Sequence, residues 1–339
     1  MNLKENISYL KYFGINLTFW KTLNKIIGRD SKCKNLAWKI HNVNNDKIED
    51  YLKRVCPETY LKLKQGEYDN VDEVTVLDET LHNDVIWTMW WQGEEDAPEI
   101  VKMCFKNMRK HSNGHKVIVL DRNNYKNYVK LPEIIEQRFT EGEADKTNLK
   151  KITLDQTKIS DIIRTYLMYN YGGIWADATI FFSADISDEL FKAKWVTLGQ
   201  DNEWYIGRGR WSTFFMGGVA GLGFSKLNYD MHIEYWKNKK YYVNYLMIDH
   251  MFDLACKERV SLEKLVESNP CRYRKCLTVS RRRTEMVDEK EAFVFFENQI
   301  FHKLSWKWWG REKGTRIKTN DSELTWFDYL VKNYGDIKL

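Results

Sequence analysis

No run of eighteen apolar residues occurs in the chain, and a helix needs about twenty to cross a bilayer, so no spanning segment is expected. The start, MNLKENISYL, has no continuous apolar core, so no secretory leader is expected. Six cysteines (33, 56, 104, 256, 271, 276) include no CxxC pair, and the spacing of Cys271 and Cys276 matches no common zinc knuckle. Reduced thiols in a cytoplasmic setting are the expectation. From residue 41 to about 80 no stretch rich in proline or glycine marks a clean domain boundary. There is no GxGxxG and no GxxxxGK[ST], so neither the dinucleotide fingerprint nor the Walker loop is available. Any phosphate must then be held by metal and side chains.

What is present is a globular, aromatic-rich composition. The 339 residues are 43% hydrophobic and 14% aromatic, with fourteen tryptophans, enough for one large domain or one domain with an appendage. Rings can stack on sugars, though tryptophan more often fills cores and interfaces. The first forty residues carry eight Lys/Arg (4, 11, 21, 25, 29, 32, 34, 39) against Glu5 and Asp30, a local charge of +6 where the whole protein has +5. Leu10, Phe13, Leu17 and Trp20 recur at helical spacing within this segment. It reads either as a basic helix for an anionic membrane surface or as a helix packed on the main domain. A polar, helical stretch continues to about residue 80. The expected division is therefore a helical, basic appendage over 1–80 and a main domain over 81–339.

That domain opens with the buried-strand run Val85 to Trp91, broken at Gln92-Gly93. Asp96 is the expected N-cap of a helix reaching His111, with Ile100, Cys104, Phe105 and Met108 inward. Val117 to Asp121 is a second strand ending in a carboxylate. Strand, helix, strand with short connections predicts a right-handed parallel unit, the start of an α/β sheet that binds a nucleotide.

Most informative is Lys158 to Phe182, KISDIIRTYLMYNYGGIWADATIFF. Ile159, Ile162, Ile163, Tyr166 and Leu167 form a buried helical stripe, and Asp161 and Arg164 lie three apart off it. Gly172-Gly173 allows the chain to reverse. The following run reads as a strand with Asp177 and Thr179 on one face. The helix climbs about 12 Å from Arg164 to the glycines, and the strand returns about 13 Å to Asp177. Asp161, Arg164 and Asp177 should therefore meet at the carboxyl end of a strand, where open α/β sheets hold ligands. An ordinary surface salt bridge is the plainer alternative.

The segment resembles the signature of glycosyltransferase family 32 and the related capsular polysaccharide synthesis proteins. It matches in Ser160-Asp161-x-x-Arg164, in Tyr171-Gly172-Gly173, and in Asp177-Ala178-Thr179 at the Asp-x-Asp position. Thr179 departs from the second motif carboxylate, which weakens the case for a two-carboxylate metal site. The resemblance implies a GT-A-type, Rossmann-like sheet that binds a UDP-sugar, with Mn²⁺ or Mg²⁺ held by Asp177 and, through water, Thr179. It also implies a ring stacked on uracil from Trp90, or its neighbour Trp91, and hydrogen bonds to uridine near Asp121 and Asn123. In the late segment FHKLSWK, His302 resembles a further metal ligand following a strand over Ala292 to Phe296. Ser305 and Trp306 resemble a lid over the diphosphate, whose charge Lys303 or Lys307 could neutralise. Asp161 and Arg164 would hold sugar hydroxyls.

Weaker expectations attach to WSTFFMGGVAGLG (211–223) near the donor sugar and to Asp249 facing the acceptor. The arginine-rich 272–283 run reads as an acceptor-pyrophosphate site or a solvated face. The expected function is retaining, metal-assisted transfer of a hexose or N-acetylhexosamine from a UDP-sugar to a surface polysaccharide. The acceptor is expected on a polyprenyl diphosphate at the inner face of the cell membrane, with no nucleic acid involved. Two other classes fit some of the same residues. A metal-dependent phosphotransferase would also use Asp177 but release no UDP. A non-catalytic membrane or nucleic-acid adaptor would use the basic N-terminal helix.

Overall fold

Three helices lead the chain: α1 (Leu3–Ile27), α2 (Lys34–Val55) and α3 (Pro57–Gln65). The computed structural model describes residues 3–28, 32–74, 78–147, 149–308 and 324–335. Helix α1 is broken at Gly14, whose φ of 81° is left-handed. Tyr9, Phe13 and Leu17, spaced four apart, turn inward. Leu10 is 40% exposed and Trp20 half-buried, so only half of the expected stripe faces the protein. Pro57 opens α3 and left-handed Gly66 closes it.

These helices share a core with the sheet that succeeds them in the chain. Tyr9, Phe13, Leu52 and Leu63 belong to one hydrophobic cluster with Trp87, Leu120 and Trp175. The Glu234 carboxylate accepts from the Thr59 amide (2.8 Å) and hydroxyl (2.6 Å), tying α3 to a distant helix.

The next elements are β1 (Val85–Met89), α4 (Glu99–Lys110), β2 (Lys116–Leu120), α5 (Glu133–Ala144), α6 (Gln156–Asn170), β3 (Gly173–Ala176) and β4 (Ile180–Phe182). After them come α7 (Glu189–Lys192), β5 (Trp195–Thr197), β6 (Phe215–Gly218), α8 (Gly223–Asn238), α9 (Met247–Glu258) and α10 (Val260–Glu267). The last are α11 (Thr278–Arg281), α12 (Glu289–Asn298), β7 (Phe301–Lys303) and α13 (Trp326–Tyr334). Five strands form a mixed sheet ordered β2-β1-β3-β6-β5, with β1 parallel to both neighbours and β6 antiparallel to both of its own. The expected parallel β1–α4–β2 unit is present, and Ile100, Cys104, Phe105 and Met108 are fully buried. Helix α4 starts later than expected: Pro98 takes the cap position, where Asp96 was expected, and no side chain caps it.

The turn between α6 and β3 needs glycine twice. Gly172 and Gly173 have φ of 71° and 80°. A Cβ on them would lie 2.0 Å from Asn83 Oδ1 and 2.3 Å from the Val85 carbonyl, respectively.

Two expected strands are different. Strand β3 ends at Ala176, and Asp177, Ala178 and Thr179 form a turn closed by the Ile180 amide on the Asp177 carbonyl (2.8 Å). Ile180–Phe182 then joins a separate two-stranded sheet with β7. The run Ala292 to Phe296 is the helix α12, capped by Asp288, with Ala292 and Phe296 buried four residues apart. Within the glycine-rich 211–223 stretch, Phe215–Gly218 form β6, set between β3 and β5, where a Cβ on Gly217 would meet the Gly173 carbonyl at 2.4 Å. Among the described residues no helix is long and apolar enough to cross a membrane.

Candidate functional site

Because β1 and β3 are parallel, the residues just past them, Trp90 and Asp177, open on the same edge of the sheet. A cleft of about 700 Å³ lies there, with walls from β1, α6, the Asp177 turn and the segment Lys303 to Lys307. This is the edge at which α/β sheets hold ligands.

Helix α6 supplies the deepest charges. Asp155 caps its start by accepting from the Lys158 amide at 2.9 Å. Further along the helix, Arg164 Nη2 stands 3.3 Å from Asp161 Oδ1 and 3.4 Å from Asp177 Oδ1. The three groups thus share one level. Arg164 also donates to the Thr213 carbonyl, and its guanidinium lies 5.0 Å from the Trp175 ring centre. Asp161 is deeper than expected. It is 4% exposed, does not line the cleft, and receives Lys158 Nζ at 2.6 Å on its other oxygen. Lys158 in turn donates to the Tyr245 carbonyl at 2.6 Å, and Tyr245 lines the cleft. Asp161 is placed to orient Arg164, whereas direct contact with sugar hydroxyls was expected of it.

Asp177 has both oxygens engaged. Trp175 Nε1 donates to Oδ1 at 2.9 Å and Lys303 Nζ to Oδ2 at 2.7 Å. Burial alone would raise this carboxyl, but the adjacent Lys303 and Arg164 charges outweigh it and hold the pKa below the ordinary aspartate range. Thr179 lines the cleft, and its carbonyl accepts from the Leu304 amide at 2.8 Å. That bond and the pairing of Ile180 with Lys303 bring β7 against the Asp177 turn.

Neighbouring side chains on a strand face opposite ways, so His302 and Lys303 cannot both reach the cleft. Lys303 does. His302 is fully buried between Phe181, Phe295 and Phe296, with Nε2 3.0 Å from the Ser183 hydroxyl, and burial pushes its pKa down to about 3. The expectation of His302 as a metal ligand does not fit this placement.

Trp90 and Trp91 both line the cleft, but in different settings. Trp90 meets Trp306 edge to face (6.1 Å, 73°), while Trp91 packs on Tyr125 and Phe139. Ser305 and Trp306 also line the cleft. Asp121 and Asn123 do not line the cleft. The Asp121 carboxylate accepts from the amides of Asn123 (2.7 Å) and Asn124 (2.9 Å), which is turn-building geometry. Asp249 does not face an acceptor. It is fully buried, accepts from the Tyr205 hydroxyl (2.8 Å) and Trp211 Nε1 (3.0 Å), and burial raises its pKa to about 6. In the arginine-rich run, Arg282 pairs with Glu285 and Glu291, and Arg274 donates to the Gln200 and Gly209 carbonyls.

Lys158, Trp175 and Tyr245 are parts of this site that the sequence reading did not assign. The three-residue step from Lys158 to Asp161 was a usable signal. Nothing in the sequence pointed to Tyr245, which a long-range contact brings in.

The donor set argues against a resident divalent cation. Among the described residues Asp177 is the one carboxylate lining the cleft, against Arg164, Lys303 and Lys307. Among the described residues no three His, Cys, Asp or Glu side chains converge to hold a metal ion. A cleft awaiting Mn²⁺ or Mg²⁺ needs an excess of oxygen donors and negative charge. This one has the opposite balance.

A comparison with curated proteins gives no match. The family model described as capsular polysaccharide synthesis protein matches residues 29–320. That span takes in α2 and α3 as well as both walls of the cleft, so the chain belongs to the capsular polysaccharide synthesis protein family.

Proposed function

We propose that this chain is a GT-A-type glycosyltransferase that moves a hexose or N-acetylhexosamine from a UDP-sugar to a growing surface polysaccharide, with retention of anomeric configuration. The observation that carries the reading is the cationic, tryptophan-walled cleft at the carboxyl ends of β1 and β3. A nucleoside diphosphate needs an aromatic face for its base and positive charge for its phosphates. Trp90, with Trp306 packed against it edge to face, meets the first need, and Arg164, Lys303 and Lys307 the second. Arg164 is held by Asp161 and Asp177, so its fork is oriented before a ligand arrives.

The acceptor in this reading is a saccharide on a polyprenyl diphosphate, met at the cytoplasmic face of the membrane. Support comes from α1, which leaves Ile15 (78%), Phe19 (56%) and Ile26 (73%) exposed on one helical face, with Lys11 and Lys25 also in water. This face differs from the one expected, because Tyr9, Phe13 and Leu17 pack inward. The reading is tested by incubating the purified chain with a panel of UDP-sugars and measuring UDP release. A phosphotransferase would release none.

A further inference from the structure

We propose that Lys303 takes the place of a divalent cation: during transfer its ammonium leaves Asp177 for the donor's diphosphate, and the reaction runs without metal. The inference rests on the glycosyltransferase reading above. It starts from the occupancy of Asp177. A metal ion would have to displace Lys303 from Oδ2, where it sits at 2.7 Å, while Oδ1 is already shared by Trp175 and Arg164. The second motif position offers only the hydroxyl and carbonyl of Thr179, and the carbonyl is taken by the Leu304 amide.

Lys303 is placed by structure and not by chance proximity. Its strand pairs with β4 directly after the Asp177 turn, and the next amide along bonds to that turn. The ammonium lies 4.9 Å from the Phe214 ring centre, and the side chain is 20% exposed, so its head is packed yet reachable from the cleft. A lysine ammonium is a compact point charge on a flexible stem, suited to exchanging a carboxylate for a phosphate oxygen. With Lys307 on the same wall it supplies two positive charges, as a divalent cation would.

In the transfer step the bond from the anomeric carbon to the β-phosphate oxygen breaks, and its electron pair stays on the diphosphate. The acceptor hydroxyl oxygen bonds to the anomeric carbon, and its proton passes to the departing phosphate oxygen. Charge therefore grows where Lys303, Lys307 and Arg164 point, which is the place for a fixed cation to stabilise a transition state. Asp177 holds Lys303 in readiness and receives it again when the nucleotide leaves.

The test uses the full chain, stripped with a chelator, and UDP as probe in calorimetry. UDP should bind equally well, within about twofold, in excess EDTA and in Mn²⁺. Lys303→Met should weaken binding at least tenfold and cut sugar-dependent UDP release on the order of a hundredfold. Lys303→Arg should restore part of both, and the melting temperatures of the two variants should agree. UDP binding that requires Mn²⁺ or Mg²⁺ and is indifferent to Lys303→Met overturns the inference while leaving the glycosyltransferase reading intact. If UDP binds under neither condition, both fall.

Discussion

Arg164 and Asp177 meet at 3.4 Å because a fifteen-residue helix and a four-residue strand run in opposite directions from the same pair of glycines. The pair is one link in a chain of charges from Lys158 through Asp161, Arg164 and Asp177 to Lys303. Its inner end is buried, and the outer end opens on the cleft.

Burial at the inner end decides what Asp161→Ala should do. Removing one partner from a buried ion pair leaves the other charge uncompensated, which costs about 3–5 kcal/mol. Lys158 and Arg164 would both lose a partner. Denaturant unfolding should show a loss of that size, and turnover should fall at least tenfold as Arg164 loses its orientation. A variant with unchanged unfolding midpoint and lost activity would mean instead that Asp161 reaches the substrate.

Burial of Asp249 gives the fold a pH dependence whose sign follows from its raised pKa. Its folded pKa, raised to about 6 by burial, exceeds the unfolded value near 3.9. Its contribution to stability is therefore full below pH 4 and is lost as pH rises through 6. The difference is worth about 3 kcal/mol. Asp249→Asn keeps an oxygen for Tyr205 and Trp211, so it should be more stable than the parent at pH 7.5 and show no loss over pH 4 to 6 from this group. Urea unfolding of both proteins at pH 4.5 and 7.5 measures this.

Parts of this arrangement were legible in the sequence, for physical reasons. The double glycine announced a reversal because only glycine accepts left-handed φ beside such close backbone. The convergence of Arg164 and Asp177 then followed from fixed rises per residue. The parallel β1–α4–β2 unit was readable from apolar runs and short connections. What misled was apolar sequence whose partner lies far away. Ile180 to Phe182 continues the strand pattern past Asp177, and only pairing with β7 reveals a second sheet. Ala292 to Phe296 is apolar throughout, and the Asp288 cap decides for helix. The choice between His302 and Lys303 hangs on a register of one residue against β4, which no local signal sets.

The exposed face of α1 predicts membrane behaviour. Each basic residue near an anionic surface contributes about 1 kcal/mol. The protein should pellet with anionic liposomes at low salt and be released at high salt. Ile15→Glu with Phe19→Glu should abolish pelleting without changing the melting temperature, since both side chains are more than half exposed. Pelleting that survives the double substitution would place the contact elsewhere.

The central claim is that the cleft at Asp177 cleaves a nucleotide sugar, and UDP release by the purified chain measures it most directly. The account predicts release from at least one UDP-sugar of the panel, faster with a saccharide acceptor present. In folded Asp177→Asn that release should be reduced at least a hundredfold, about 2.7 kcal/mol of transition-state stabilisation. No release from any UDP-sugar, or equal release by folded Asp177→Asn, would contradict it.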